Sequence, residues 1–152
     1  MEFRSKLVEG VGAFIHAKIT GRYLFLLRNN TGSWPLTWAL PGGKINHNET
    51  LITGLAREIQ EELGGTIKNP ELILLDNYAS ANGKFRYTTY YIEVDYEFVP
   101  ELNDEHVGYA WLPLTALPRP LHPGVSRTLE SEVVINKIYH TTTAGQVINV
   151  RV

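Results

Sequence analysis

GKINHNETLITGLAREIQEELGG, residues 43–65, is the stretch from which the fold is read. Its second half repeats apolar residues at helical spacing: Leu51, Leu55, Ile59 and Leu63, widened by Ile52 and Ala56. This predicts an amphipathic helix from Asn48 to Leu63, with Asn48 as N-cap and Gly64-Gly65 as its stop. Beside the apolar stripe stand Glu58, Glu61 and Glu62, related as i, i+3 and i+4, so their side chains crowd one face. Like charges so placed cost a helix a few tenths of a kcal/mol per pair, by rough estimate. Arg57 reaches Glu61 at i+4 and offsets part of that cost. Glu58 and Glu62 fall near the Leu51/Leu55 edge, where full solvation is not expected. Gly54 lies on the carboxylate face and leaves room for a ligand.

The 152 residues suffice for one domain with a real core, and residues 1–152 are read as a single domain. A net charge of −2 leaves no excess of Lys or Arg to neutralise a row of phosphates, so stable nucleic-acid binding is not expected. Without cysteine there is no disulfide framework, no thiolate nucleophile and no cysteine-based zinc site. No run approaches membrane-spanning length and MEFRSKLVEG has no signal-peptide core, so a cytoplasmic setting is expected.

Around the helix the pattern is that of strands. Val8–Ala17 and Tyr23–Leu27 are apolar and β-prone, and a loop of composition NNTGSWP follows at Asn29–Pro35. Trp38–Leu40 is a short apolar piece halted by Pro41-Gly42-Gly43. Leu72–Tyr78 and Phe85–Val94 flank Asn82-Gly83, a strong hairpin signal, and Tyr109–Leu112 is a further strand. Pro123 opens a second helix expected to run to about Tyr139, and Gln146–Val152 alternates as a strand would. Strands on both sides of a central helix, with another helix late in the chain, predict an α/β sandwich on a mixed sheet.

Three carboxylates beside a Gly-Gly loop form a hard, oxygen-only donor set, which suits Mg²⁺ or Mn²⁺. A bare E-x2-E-E is more often a solvated acidic face, so the wider spacing decides. Gly43, five residues, Glu49, seven residues, Arg57-Glu58, aliphatic Ile59, Glu61-Glu62 and Gly64 together resemble the box of the Nudix hydrolases. At about 6% average usage, seven such identities at fixed spacing arise by chance at about 10⁻⁹ per start position. Gly65 departs from the usual aliphatic residue and removes no ligand. The order of strand, loop, W-x-L-P-G-G, helix, hairpin and late helix is also similar to that family.

The resemblance implies an α/β/α sandwich and a divalent-metal-dependent hydrolase of nucleoside diphosphates linked to another moiety. It implies that Glu58, Glu61, Glu62 and the Gly42 carbonyl hold the metals, with Glu58 also orienting or deprotonating the attacking water. Glu49 and Arg57 would brace the loop and helix, with Gly43 and Gly64 as structural positions. Glu105, six residues before Trp111 in ELNDEHVGYAWL, is similar to an acid that family members add from outside the box. It is the candidate fourth carboxylate, as metal ligand or base; Glu101 and Asp104 are weaker choices. His106 is the base of an alternative reading, C–O cleavage of a GDP-sugar, similar to a branch whose box is degraded. A reading from another class is a catalytically silent nucleotide- or RNA-binding module, which usually loses box carboxylates that this chain keeps.

Arg28 and Lys44 are the candidates for substrate phosphates, Arg28 foremost. Trp34, in a polar loop, is the leading stacking residue; Trp38, Tyr78 and Tyr87 are others, with Trp38 expected in the core. Neither the proline associated with ADP-ribose enzymes nor the tyrosine associated with dinucleoside polyphosphates stands at its usual distance. The partner is therefore a small nucleotide of open identity: a nucleoside triphosphate, a nucleotide sugar such as ADP-ribose, or a dinucleoside polyphosphate. A homodimer is an expectation carried by the resemblance alone.

Overall fold

A computed structural model describes residues 7–65 and 67–150, with side chains through Thr142. In chain order the described elements are β1 Val8–Ala17, β2 Arg22–Arg28, β3 Trp38–Ala39, β4 Gly42–Lys44, α1 Leu51–Leu63, β5 Ile73–Ala79, β6 Phe85–Val94, β7 His106–Leu112, α2 Pro123–Glu130 and α3 Glu132–Val150. The main path of the sheet runs β3-β2-β1-β6-β5, with β4 also on β1 and β7 also on β2. β1 and β6 are parallel and the other pairings antiparallel, so the sheet is mixed as expected.

β1 is buried along almost its whole length because both of its faces are covered. Successive side chains alternate between two cores. Val11, Ala13, Ile15, Leu24 and Leu26 pack with Leu55, Ile59 and Leu63 of α1. Phe14, Tyr23, Phe25 and Tyr91 pack with Val125 of α2 and Val134 and Ile138 of α3. The result is the α/β/α sandwich. No helix among the described residues is long and apolar enough to cross a membrane.

Several local expectations need correction. α1 begins at Leu51, capped by Thr50 in a reciprocal pair with Thr53: each hydroxyl accepts the other residue's backbone N–H, at 3.1 and 3.0 Å. Asn48 instead takes a left-handed turn conformation, φ 68°. Pro41-Gly42-Gly43 does not end the sheet, since Gly42–Lys44 forms β4 against Gly10–Gly12 of β1. A Cβ on Gly42 would fall 2.0 Å from the Val11 carbonyl oxygen, so glycine is what permits that approach.

Gly54 does not open ligand space; a Cβ there would meet Ile45 Cδ1 at 2.4 Å. The late helix is broken at Ser131, whose backbone is extended, φ −77° and ψ 117°. Gln146–Val150, expected as a strand, continues α3, and residues 151–152 lie outside the described residues. A short alternation cannot outweigh a helix already running, and Thr141 and Thr142 donate back to the carbonyls of Lys137 and Ile138.

Candidate functional site

α1 lies on the sheet with its carboxylates toward β4 and the start of β7. Glu62 is almost fully buried, and its Oε1 accepts the Gly42 N–H at 2.7 Å. Glu58 is also buried, and its carboxylate lies over Gly43, where a Cβ would come within 2.6 Å of it. Glu61 is the exposed member of the three. Arg57 joins them: Nη1 donates to Glu58 at 3.0 Å and Glu61 at 3.1 Å, while Nε donates to Glu49 at 2.7 Å. Its Nη2 donates to Glu49 Oε1 at 3.0 Å and to the Lys44 carbonyl at 2.9 Å. Arg57 therefore offsets the glutamate crowding and links the helix to the preceding loop through Glu49 and the Lys44 carbonyl.

Antiparallel pairing of β2 with β7 sets Arg28 opposite His106, and the Asn29 N–H donates to the Glu105 carbonyl at 2.9 Å. That brings Glu105 and His106 to the buried glutamates. One ligand atom each from Glu62, Glu105 and His106 lie within 4.8 Å of one another. His106 Nδ1 is 3.3 Å from Glu62 Oε2, yet it is buried with no hydrogen-bond partner among the described residues. An imidazole nitrogen thus stands beside the carboxylate oxygens to which the sequence points.

Burial dominates the electrostatics. It pushes Glu62 up to about 9, aided by Glu58 and Glu105 and opposed by the Gly42 N–H and Arg28. Glu58 is raised as well, first by burial, with Arg57 opposing. Burial, then the Arg28 charge, lowers His106 to about 4, so its ring is neutral. Glu49 is held below the usual carboxylate range by its bonds to Arg57 and Asn46. Buried carboxylates pushed toward protonation beside an orphaned imidazole nitrogen fit a divalent cation, which would favour their charged forms.

Next to this cluster is a cavity of about 330 Å³. Gly42 and Gly43 form one side; Arg28, Trp34, Leu40, Phe85 and Tyr87 form walls; His122 to Val125, Arg127 and Thr128 bring in α2. Arg28 and Trp34 are thus beside the site. Arg28 also donates to the Ser33 carbonyl at 2.9 Å through Nη2, holding the loop that presents Trp34. Trp34 is 55% exposed and meets the His122 ring edge-on, centroids 6.2 Å apart. Lys44 is exposed at the end of β4 and does not line the cavity. Trp38 packs against the core beneath α2, as expected. The sequence reading missed Phe85, His122 and Arg127; Pro123 announced a helix but not what it would face, because these residues meet the glycines solely through the tertiary fold.

The family model described as NUDIX domain matches residues 6–131. Among curated proteins, the chain is 26% identical over 106 residues to a nucleoside triphosphate pyrophosphatase/Nudix hydrolase fusion protein of Bifidobacterium longum, covering 66% of this chain but only 22% of that one. It is 28% identical over 116 residues to nucleoside triphosphatase NudI of Escherichia coli, covering 70% of this chain and 77% of the relative. Among solved structures, a MutT NUDIX hydrolase from Burkholderia pseudomallei superposes with a TM-score of 0.66 at 29% identity, over 84% of this chain and 98% of that one.

Proposed function

The chain belongs to the Nudix hydrolase family, and we propose that it is a divalent-metal-dependent pyrophosphohydrolase of a small nucleotide. The observation that carries this reading is the convergence of Glu58, Glu62, Glu105 and His106 from two separate segments beside a cavity lined by Arg28. Glu58, Glu61, Glu62, Glu105 and the Gly42 carbonyl are the groups that would hold Mg²⁺ or Mn²⁺. When bound, the metal supplies charge neutralisation of the diphosphate and an acidified water.

The protein's own groups have distinct parts. Arg28 draws the phosphates toward the glycines of β4. Glu58, held at Oε1 by Arg57 and raised by burial, is suited to take a proton from water attacking phosphorus. Glu105, more exposed, is the other carboxylate available for that proton. His106 is a poor base for the alternative C–O cleavage of a GDP-sugar: it is buried against Glu62, away from the cavity lining, and burial followed by the Arg28 charge lowers its ring below the ordinary histidine range. A silent binding module would have no use for every box carboxylate.

Substrates in keeping with this site are nucleoside triphosphates, nucleotide sugars such as ADP-ribose, and dinucleoside polyphosphates. The test is a Mg²⁺-dependent hydrolysis panel over these and GDP-sugars, with products identified by mass and Glu61→Gln run alongside. A nucleoside monophosphate product is expected from wild type. In Glu61→Gln, which keeps the fold because Glu61 is exposed, turnover should fall by about 10² or more. Full activity in a folded Glu61→Gln protein would defeat the reading, and intact GDP with free sugar would move the chemistry to carbon.

A further inference from the structure

Arg127 is held in a way the proposed hydrolysis does not require. It rises from α2 and lays its guanidinium carbon 3.7 Å from the centre of the Tyr78 ring, on β5. Stacking fixes the plane of the group while leaving its N–H edges free. Among the described residues Arg127 makes no ion pair, in contrast to Arg22 with Glu97 and Arg57 with its three glutamates. Yet it is only half-exposed, and it faces a cavity that no Asp, Glu, Asn or Gln among the described residues lines.

Everything else charged on that wall is also cationic or neutral. Arg28 is the cavity's second arginine. His122 spends Nδ1 on the Gly124 N–H at 3.0 Å, so its ring hydrogen is on Nε2, a donor. Pro123, Gly124 and Val125 bring the positive end of α2 to the same wall. The Thr128 hydroxyl is buried and donates to the Gly124 carbonyl at 2.9 Å. A half-buried guanidinium without a counter-ion, in a cavity with no acid, favours an anion over a neutral base edge because the charge–charge attraction is stronger in a partly desolvated site.

We propose that Arg127, fixed by Tyr78, is a second anion-recognition point at the α2 end of the cavity, taking a phosphate on the sugar of a nucleotide whose 5′ phosphates lie at Arg28 and the glycines. This rests on the nucleotide reading above and narrows it: the preferred substrates carry a 2′- or 3′-phosphate in addition to the scissile 5′ anhydride. Arg28 and Arg127 then grip opposite ends of one ligand, with the nucleoside against Phe85, Tyr87 and Trp34.

Binding of reaction products tests this without turnover. Adenosine 3′,5′-bisphosphate, adenosine 5′-monophosphate and guanosine 5′-monophosphate are titrated calorimetrically into wild type, Arg127→Leu and Arg127→Lys. Leucine keeps an apolar cover on Tyr78, and circular dichroism and Tm establish that each variant is folded. The bisphosphate should bind wild type roughly tenfold or more tightly than the monophosphate. That ratio should collapse toward one in Arg127→Leu, survive in part in Arg127→Lys, and shrink with added salt. A ratio near one in wild type, or a ratio unchanged in Arg127→Leu, overturns the proposal. So does a guanine-over-adenine preference that vanishes with Arg127, which would give the guanidinium to the base. If the bisphosphate ratio behaves as expected while wild type hydrolyses nothing, the hydrolase reading fails and the anion site stands.

Discussion

Gly43 shows how little space separates structure from chemistry at single-residue scale. Its missing side chain is the space occupied by the Glu58 carboxylate, 2.6 Å from where a Cβ would be. That carboxylate is the end of a flexible side chain and can swing away, whereas the β4 backbone cannot. Gly43→Ala should therefore leave Tm nearly unchanged and lower kcat by about 10² or more, because Glu58 leaves the position in which Arg57 holds it. Equal kcat in the variant would show that the location of Glu58 is immaterial to turnover. The glutamates and Arg57 were legible because their spacing is local: a helix alone puts them on one face. Arg127 and His122 were not, since nothing near Pro123 in sequence announces that α2 will face the glycines of β4.

Single elements differ in the same respect. α1 was read almost to the residue at its C-terminus, where periodicity and two glycines agree, but not at its start. Asn48 and Thr50 are both cap residues by type, and only the hydrogen bonds distinguish them. Thr50→Ala should cost about 1 kcal/mol in a denaturant titration, as loss of a capping side chain does. Asn48→Gly should be close to neutral, because Asn48 occupies a left-handed turn that glycine also adopts. A larger loss at Asn48 than at Thr50 would contradict the capping geometry. β4 escaped the sequence reading for a different reason. Glycines weaken an isolated strand, and here they are used because the backbone of β1 comes too close for anything larger.

Over the whole molecule, ionisable groups are buried on both sides of the sheet, and they act on stability in opposite directions. His16, buried between Tyr23 and Tyr91, is lowered by burial although Glu93 opposes, and His106 and His122 are lowered too. Their contribution is present above the ordinary value of 6.5 and is lost as pH falls below it, because the unfolded chain then binds more protons. Glu62 has the reverse sign. Raised from 4.5 to about 9, it retains its proton in the metal-free fold after the unfolded chain has lost it, so stability declines as pH rises through that window. At 6.5 half of the unfolded chain's histidines still carry a proton, so the histidine contribution is complete only from about pH 7.5 upward, where the glutamate decline remains. In a chelator, Tm should fall between about pH 7.5 and 9; Glu62→Gln, which still offers Gly42 an acceptor, should flatten the fall. Under the proposed metal role, saturating Mg²⁺ should also flatten it, since it would bind the ionised carboxylate and gain most where the proton is easiest to lose. The Mg²⁺-induced rise in Tm must then grow with pH in wild type and lose that dependence in Glu62→Gln. A Tm in chelator that is level across this range, or a slope unaltered by Glu62→Gln, would mean that Glu62 does not carry the proton that metal binding displaces.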